Sequence, residues 1–278
     1  MASFCHIAPT PHLNLIEDNE AHLILAHLVE TDETYTNFYI NKTNGIKILD
    51  NSAFEMYKQG RPMYPSEQLI EMGKRVGADY IVMSDYPNEH SSVTIDAAVK
   101  LHAEFKEAGF KTFFCPQSKI GDMDDLINAF RWASNNPDIV DYIGVSILAI
   151  PNAYGVEKDN KMQRFVSRAM FMHILRAKGI LDKIKENGQK IHMLGMVDGP
   201  NEIMLMEPFK DYITTWDSSA AIWTGLNGIQ FDQSPSGLLN GKFEEEVDFN
   251  HKTEDPANIL IASVNKMYIN MAVKRYLG

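Results

Sequence analysis

Eight short apolar runs, rich in β-branched residues, recur along the chain and restrict its fold more than any other feature. They are HIAPT from His6, HLILAHL from His22, IKILD from Ile46, YIVMSD from Tyr80, TFFCPQ from Thr112, YIGVSI from Tyr142, IHMLGM from Ile191 and YITTWD from Tyr212. Near-continuous apolar runs of this length belong to strands covered on both faces, as in a parallel sheet. Most are separated by segments of helical period. In SSVTIDAAVKLHAEFKEAG, residues Ile95, Val99, Leu101 and Phe105 are spaced for one apolar face, with Gly109 as the stop. MDDLINAFRWASNN, the longer KMQRFVSRAMFMHILRAKGILDKIKENG and the shorter GPNEIMLMEPF continue the alternation. From Asp255 a closing helix is expected, with Ile259, Ala262, Val264, Met267 and Ile269 toward the sheet and Lys274 and Arg275 at its C-terminal dipole. Such βα alternation, with about eight strands in about 250 residues, fits a (β/α)8 TIM barrel. An open doubly wound sheet is the alternative, but no G-x-G-x-x-G follows the first run. No linker divides the chain, so residues 1–278 read as a single domain. Beyond Trp223, itself read as core packing, the pattern becomes loop-like.

Composition narrows the function. Hydrophobic residues at 45% and charged residues at 23% exclude collagenous, mucin-like and disordered classes. A net charge of −11 argues against holding nucleic acid by bulk charge, though it leaves room for a local basic patch. Two cysteines, Cys5 and Cys115, permit neither a disulfide framework nor a four-cysteine zinc site. The start, MASFCHIAPTP, lacks a signal-peptide pattern, and no apolar run approaches the ~20 residues of a membrane helix. A soluble cytoplasmic protein with no membrane contact is expected.

In a βα barrel, reactive groups stand at the carboxyl ends of the strands. The residues there are Asp50 after IKIL, Asp85 after YIVMS, Gln117 after TFFCP, Ser146 late in YIGVSI, Gly195 ending IHMLG and Asp217 after YITTW. A single such Asp is an ordinary helix cap. Three at one mouth repel, which raises at least one pKa and supplies acid, base and nucleophile from one residue type. Between Asp50 and Phe54 stand only Asn51, Ser52 and Ala53, small enough for the backbone to approach a planar ligand. His27 and His192 read as core or supporting residues, and Cys115 as packing.

These residues resemble those of the tRNA-guanine transglycosylases, (β/α)8 barrels that exchange guanine for a 7-deazaguanine such as preQ0, preQ1 or queuine. The resemblance runs in consistent order from about His22 to about Phe249. DNSAFE resembles the family's strand-end motif, which implies Asp50 as general acid/base, with Asn51, Ser52 and Phe54 beside the base. VMSDYP and CPQS imply Asp85 and Gln117 as readers of the guanine edge, and IGVSI implies Gly144, Val145 and Ser146 against the base amide. HMLGMVDGPNEI, containing Gly195, is similar to the family's L-M-G-V-G-x-P-x-D-I segment, and TWDSSAAIW implies Asp217 as nucleophile. LNGIQF…LLNGKFEEEVDF is similar to the section that follows. The implied chemistry is a covalent aspartyl-glycosyl intermediate resolved with retention, on a nucleotide flipped out of its stack.

The departures carry information as well. The tRNA enzymes close with a zinc site of three cysteines and a histidine, whereas here both cysteines precede Asp217 and only His251 follows it. The usual Thr-Arg after the nucleophile is replaced around Ile222, Trp223 and Thr224. No metal and no cofactor is implied. The compact chain is most similar to phage-encoded relatives that insert 7-deazaguanines into DNA, a role tied to restriction evasion. DNA is therefore favoured over tRNA as polynucleotide partner, in the host cytoplasm if phage-encoded, with a homodimer left open. The alternatives are a tRNA enzyme, a deazaguanine nucleoside lyase and a non-catalytic base or nucleic-acid binder. An unrelated barrel aldolase would want a strand-end lysine, but Lys47 lies inside a run and Lys119 beyond one. Lys58, Arg61, Lys119, Lys158, Lys161, Arg164 and Arg168 are the expected basic rim for phosphate, with KDNKMQRFVSR as its densest stretch.

Overall fold

A computed structural model describes residues 2–157, 160–196, 199–231 and 246–278. Eight parallel strands form one sheet: β1 (Ser3–His6), β2 (Ala21–Leu25), β3 (Ile46–Asp50), β4 (Tyr80–Val82), β5 (Lys111–Phe114), β6 (Tyr142–Ser146), β7 (Lys190–Leu194) and β8 (Ile213–Ser218). Strands β2 to β8 pair in chain order and β8 pairs with β1, so the sheet curls into a nearly closed (β/α)8 TIM barrel. No ladder joins β1 to β2 among the described residues. At that seam the Leu25 N–H donates to the hydroxyl of Tyr35 at 3.0 Å, a buried ring standing in for a strand partner.

Among the described residues twelve α-helices cover the outside: α1 (Ala26–Thr31), α2 (Glu33–Ile40), α3 (Ala53–Gln59), α4 (Ser66–Val76), α5 (Ser91–Glu107), α6 (Met123–Asn135), α7 (Ala149–Ala153), α8 (Lys161–Ala177), α9 (Ile180–Glu186), α10 (Gly199–Leu205), α11 (Ala220–Leu226) and α12 (Pro256–Tyr276). Polar caps start several of them. Asp32, Asp122 and Asn160 accept from backbone N–H groups three residues on, and Asp255 accepts from Ala257 with Pro256 in the first turn. One continuous apolar cluster runs from the strands to the inner faces of these helices. No described helix is long and apolar enough to cross a membrane.

Four local expectations are corrected. The first strand is SFCH, not HIAPT, because Pro9 and Pro11 have no N–H for a ladder and instead open a short 3-10 turn, Thr10–Ile16. The long helical segment before β7 is two helices, broken at Gly179, which stands at φ +70°. Helix α5 buries Ser91, Thr94, Ala98 and Phe105 and turns Val99 to solvent. Helix α12 buries Ala262, Asn265, Lys266, Ile269, Ala272 and Val273 and turns Met267 outward. In both helices the inner face tolerates small or polar residues where they meet backbone, so counting apolar side chains misses it by a fraction of a turn. The expected loop beyond Trp223 falls largely on residues 232–245, which lie outside the described residues together with that part of the LLNGKFEEEVDF resemblance.

Candidate active site

The alternation of side chains along each strand sends every second residue into the barrel. On β3 that sequence ends on Asp50, and on β8 Thr215 and Asp217 are two apart on one face. Asp85 follows β4 and Gln117 follows β5, so the neighbouring strands β3, β4 and β5, and β8 across the rim, contribute polar groups at the carboxyl-end mouth.

Asp85 and Gln117 meet directly. The Gln117 carboxamide donates to Asp85 Oδ2 at 2.6 Å, and the Asn51 amide donates to Asp85 Oδ1 at 2.8 Å and to the Met83 carbonyl at 2.7 Å. Asn51 Oδ1 accepts from the Ala53 N–H at 2.9 Å, which ties the start of α3 to the same cluster. All three side chains are buried. Burial raises the Asp85 pKa, while the hydrogen bonds from Asn51, Gln117 and Cys115 oppose the shift. Cys115 is buried beside them, and desolvation and then the Asp85 charge hold its thiol protonated.

Asp50 stands half-buried at the end of β3, and its Oδ2 accepts the Ser52 N–H at 2.9 Å. Its pKa is raised well above the carboxylate range, first by burial, then by Glu55, Asp85 and Asp217, against the Ser52 hydrogen bond. The carboxylates of β4 and β8 thus act on it through space. Ser52 adopts the left-handed region at φ +55°, ψ +33°, uncommon for a residue with a side chain, and is fully buried. Its hydroxyl is held by His27, with the His27 N–H at 3.2 Å and Nδ1 at 2.8 Å. Backbone strain of this kind costs about 1–3 kcal/mol and persists only where the surroundings hold it. The next turn exposes Phe54, with Lys58 over its ring at 4.4 Å.

Asp217 is buried to 6% exposure at the end of β8. Its Oδ1 accepts from His192 Nε2 at 2.9 Å and from the Gly195 N–H at 3.0 Å, while Oδ2 takes no hydrogen bond among the described residues. Gly195 is held from the other side, its carbonyl accepting from Arg168 at 2.9 Å and from Trp216 Nε1 at 2.8 Å. At φ +68°, with Ile147 Cγ2 only 2.7 Å from where a Cβ would stand, position 195 admits glycine alone.

The three β6 residues are engaged in other ways. Gly144 faces the interior, where Leu194 and Phe113 fill the space a side chain would need. The Val145 carbonyl accepts from Arg168 at 3.1 Å, and the Ser146 hydroxyl accepts the Leu148 and Ala149 N–H groups at the entry to α7. Of the expected basic rim, Lys58 pairs with Glu246 and Arg61 with Glu30, while Lys119 is exposed. Arg168 is a correction: it is wholly buried, ion-paired with Glu202 and stacked over Trp216 at 5.0 Å, so it meets no phosphate. Its long stem carries the guanidinium inward from α8, where strand-end carbonyls of β6 and β7 supply acceptors. Lys158 and the side chain of Lys161 lie outside the described residues. Lys47 is buried in β3 and donates outward to the Tyr39 and Val76 carbonyls, away from the mouth.

His192, placed by its sequence context among core or supporting residues, is fully buried and bonded to Asp217. The contact through Thr215 has a faint signal in the sequence, the period of two that puts Thr215 and Asp217 on one face, whereas the Arg168 contacts have none. Among the described residues no group of three or more His, Cys, Asp and Glu side chains is arranged to hold a metal ion. No protein-family model matches the chain, and no curated protein matches it.

Proposed function

We propose that the chain is a base-exchange transglycosylase that replaces guanine in a polynucleotide, DNA in preference to tRNA, with a 7-deazaguanine such as preQ0. The observation that carries this reading is the division of labour among the three carboxyl groups. Asp217 presents Oδ2 with Oδ1 already committed, Asp50 holds its proton to unusually high pH, and Asp85 is locked to Gln117 and Asn51. Different environments for titratable groups in one pocket assign acid, base and nucleophile.

Asp217 Oδ2 attacks C1′ of the flipped nucleotide as the C1′–N9 bond breaks, and the electron pair leaves with guanine, which takes a proton from Asp50. Asp50, now ionised, accepts the N9 proton of the incoming base, whose N9 displaces Asp217 and restores the β-configuration. Asp85, already accepting from Asn51, Gln117 and Cys115, keeps acceptor capacity for a further donor on the guanine edge, its N1–H or exocyclic amine. Phe54 offers an exposed ring for stacking. The acidic chain, with Lys58 and Arg61 paired, holds the backbone through few phosphate contacts.

The test is incubation with labelled preQ0 or guanine and either duplex DNA or tRNA, scored for label in polymer. Label in DNA supports the preferred substrate, label in tRNA moves the reading to the tRNA enzymes, and label in neither refutes exchange. Asp217→Asn is expected to abolish any covalent protein–polynucleotide adduct, and an adduct that survives removes Asp217 as nucleophile.

A further inference from the structure

Beneath Asp217 lies a file of polar side chains that the exchange scheme above leaves unused. Tyr142 on β6, His192 on β7 and Thr215 on β8 stand on adjacent strands, face the interior and are fully buried. The Tyr142 hydroxyl lies 2.5 Å from Thr215 Oγ1, Thr215 Oγ1 lies 2.5 Å from His192 Nδ1, and His192 Nε2 lies 2.9 Å from Asp217 Oδ1. The His192 ring is enclosed by Phe113 at 5.6 Å and Tyr142 at 6.1 Å.

We propose that His192 is a positioning residue that makes Asp217 a good leaving group in the second half of the exchange, its tautomer set by Thr215 and Tyr142. The role rests on the exchange reading above. The role requires one arrangement of protons among those the contacts allow. An ionised Asp217 carries none, so the bond to Oδ1 uses a proton on Nε2. A neutral ring protonated there accepts at Nδ1, which receives the Thr215 O–H, and Thr215 in turn accepts the Tyr142 O–H. Each atom in the file then donates or accepts in a consistent direction.

The consequence follows the electron pairs. In the first half Oδ2 bonds to C1′, the C1′–N9 pair departs with guanine, and Oδ1 becomes the carbonyl oxygen of an ester. In the second half the incoming N9 bonds to C1′ as its proton passes to Asp50, and the C1′–Oδ2 pair returns to the carboxylate. Charge reappears on the carboxylate where His192 Nε2–H and Gly195 N–H already point. Donors fixed where charge develops lower that barrier, while the same donors face a charge being lost in the first half. Removal of the His192 donor therefore slows the second half selectively.

The experiment compares the unmodified protein with His192→Phe, which keeps an enclosed ring without a donor, and His192→Gln, which keeps a donor at the end of a flexible chain. With labelled preQ0 and whichever of duplex DNA or tRNA the unmodified protein modifies, acid-quenched samples are scored for covalent adduct and exchanged product. Loss of one bond to a charged group slows adduct breakdown by about 10- to 100-fold in His192→Phe. The adduct accumulates at steady state, and His192→Gln recovers most of the rate. A fold defect lowers adduct and product together. Equal adduct fractions in the three proteins, with exchange intact in the unmodified one, overturn this role alone, whereas no exchange by the unmodified protein overturns the function and the role together. If His192→Phe fails to fold, Thr215→Val is the second variant, and an unchanged adduct fraction there also overturns the relay. Nitrogen NMR of the substrate-free protein reads the relay without chemistry: a neutral, Nε2-protonated His192 supports it and an Nδ1-protonated ring overturns it.

Discussion

Arg168 and Glu202 form a fully buried ion pair that braces the strand ends beside Asp217, and neutralising one partner is expected to unsettle both stability and the site. Arg168 donates from Nε and Nη2 to Glu202 Oε1, from Nη1 to the Val145 and Leu194 carbonyls at 3.1 and 2.8 Å, and from Nη2 to Gly195 at 2.9 Å. Both side chains have 0% exposure, so little water can replace a lost partner. Breaking a buried pair from one side costs about 3–5 kcal/mol. Unfolding entropy of about 2.1 cal/mol/K per residue, over 278 residues, is about 0.6 kcal/mol/K, so Glu202→Gln should lower Tm by about 5–8 °C. Arg168→Met should do at least as much, because it also strips hydrogen bonds from carbonyls. Two of these carbonyls keep another donor, Ile147 N–H at Leu194 and Trp216 Nε1 at Gly195. The combined variant Arg168→Met/Glu202→Leu should therefore lose clearly less than the sum of the two single losses, as coupling within one network requires. Calorimetry at pH 7 with parallel urea titration measures all of these. Single losses under about 1 °C, or strict additivity in the double variant, would refute the argument that this pair is dry and coupled.

Two more outcomes follow from the mouth itself. Asp50 binds its proton more tightly folded than unfolded, so its favourable contribution is present below the unfolded value near ~3.9 and is lost as pH rises through the raised folded value. Asp50→Asn should then raise Tm at pH 8, with the gain shrinking toward pH 4, and a pH-independent difference would contradict the assigned environment. Ser52 stands at φ +55° with its hydroxyl on His27, so Ser52→Ala loses the bond and keeps the strain, whereas Ser52→Gly loses the bond and relieves it. Glycine should be the more stable of the two by about 1 kcal/mol in urea unfolding.

Much of this architecture was legible because its causes are local. Seven of the eight apolar runs coincide with strands within a few residues, and Asp50 and Asp217 stand at strand ends as their runs predict. The first run slipped because SFCH is too short to stand out beside HIAPT, although the prolines in PTP were the available clue. Asp85, Gln117 and Asn51 were expected in one place, but that they bond to one another depends on β3, β4 and β5 being neighbours. Arg168 shows the opposite failure. A basic residue in the densest basic stretch reads as a phosphate contact, and nothing near it in sequence reveals Glu202, 34 residues on, as its buried partner.

By itself the sequence determined the alternation of strand and helix, which favours a barrel over an open sheet, and the acids that end the strands, because hydrophobic period and strand length act within a few residues. Only the tertiary structure decided what each acid touches. His192 is 25 residues from Asp217, and Tyr142 is 73 from Thr215. Their contact depends on which strands lie side by side, on the register His192↔Thr215 and on the shift in pairing just before it. That register is set by closing the whole sheet around one packed interior, a condition no local segment contains.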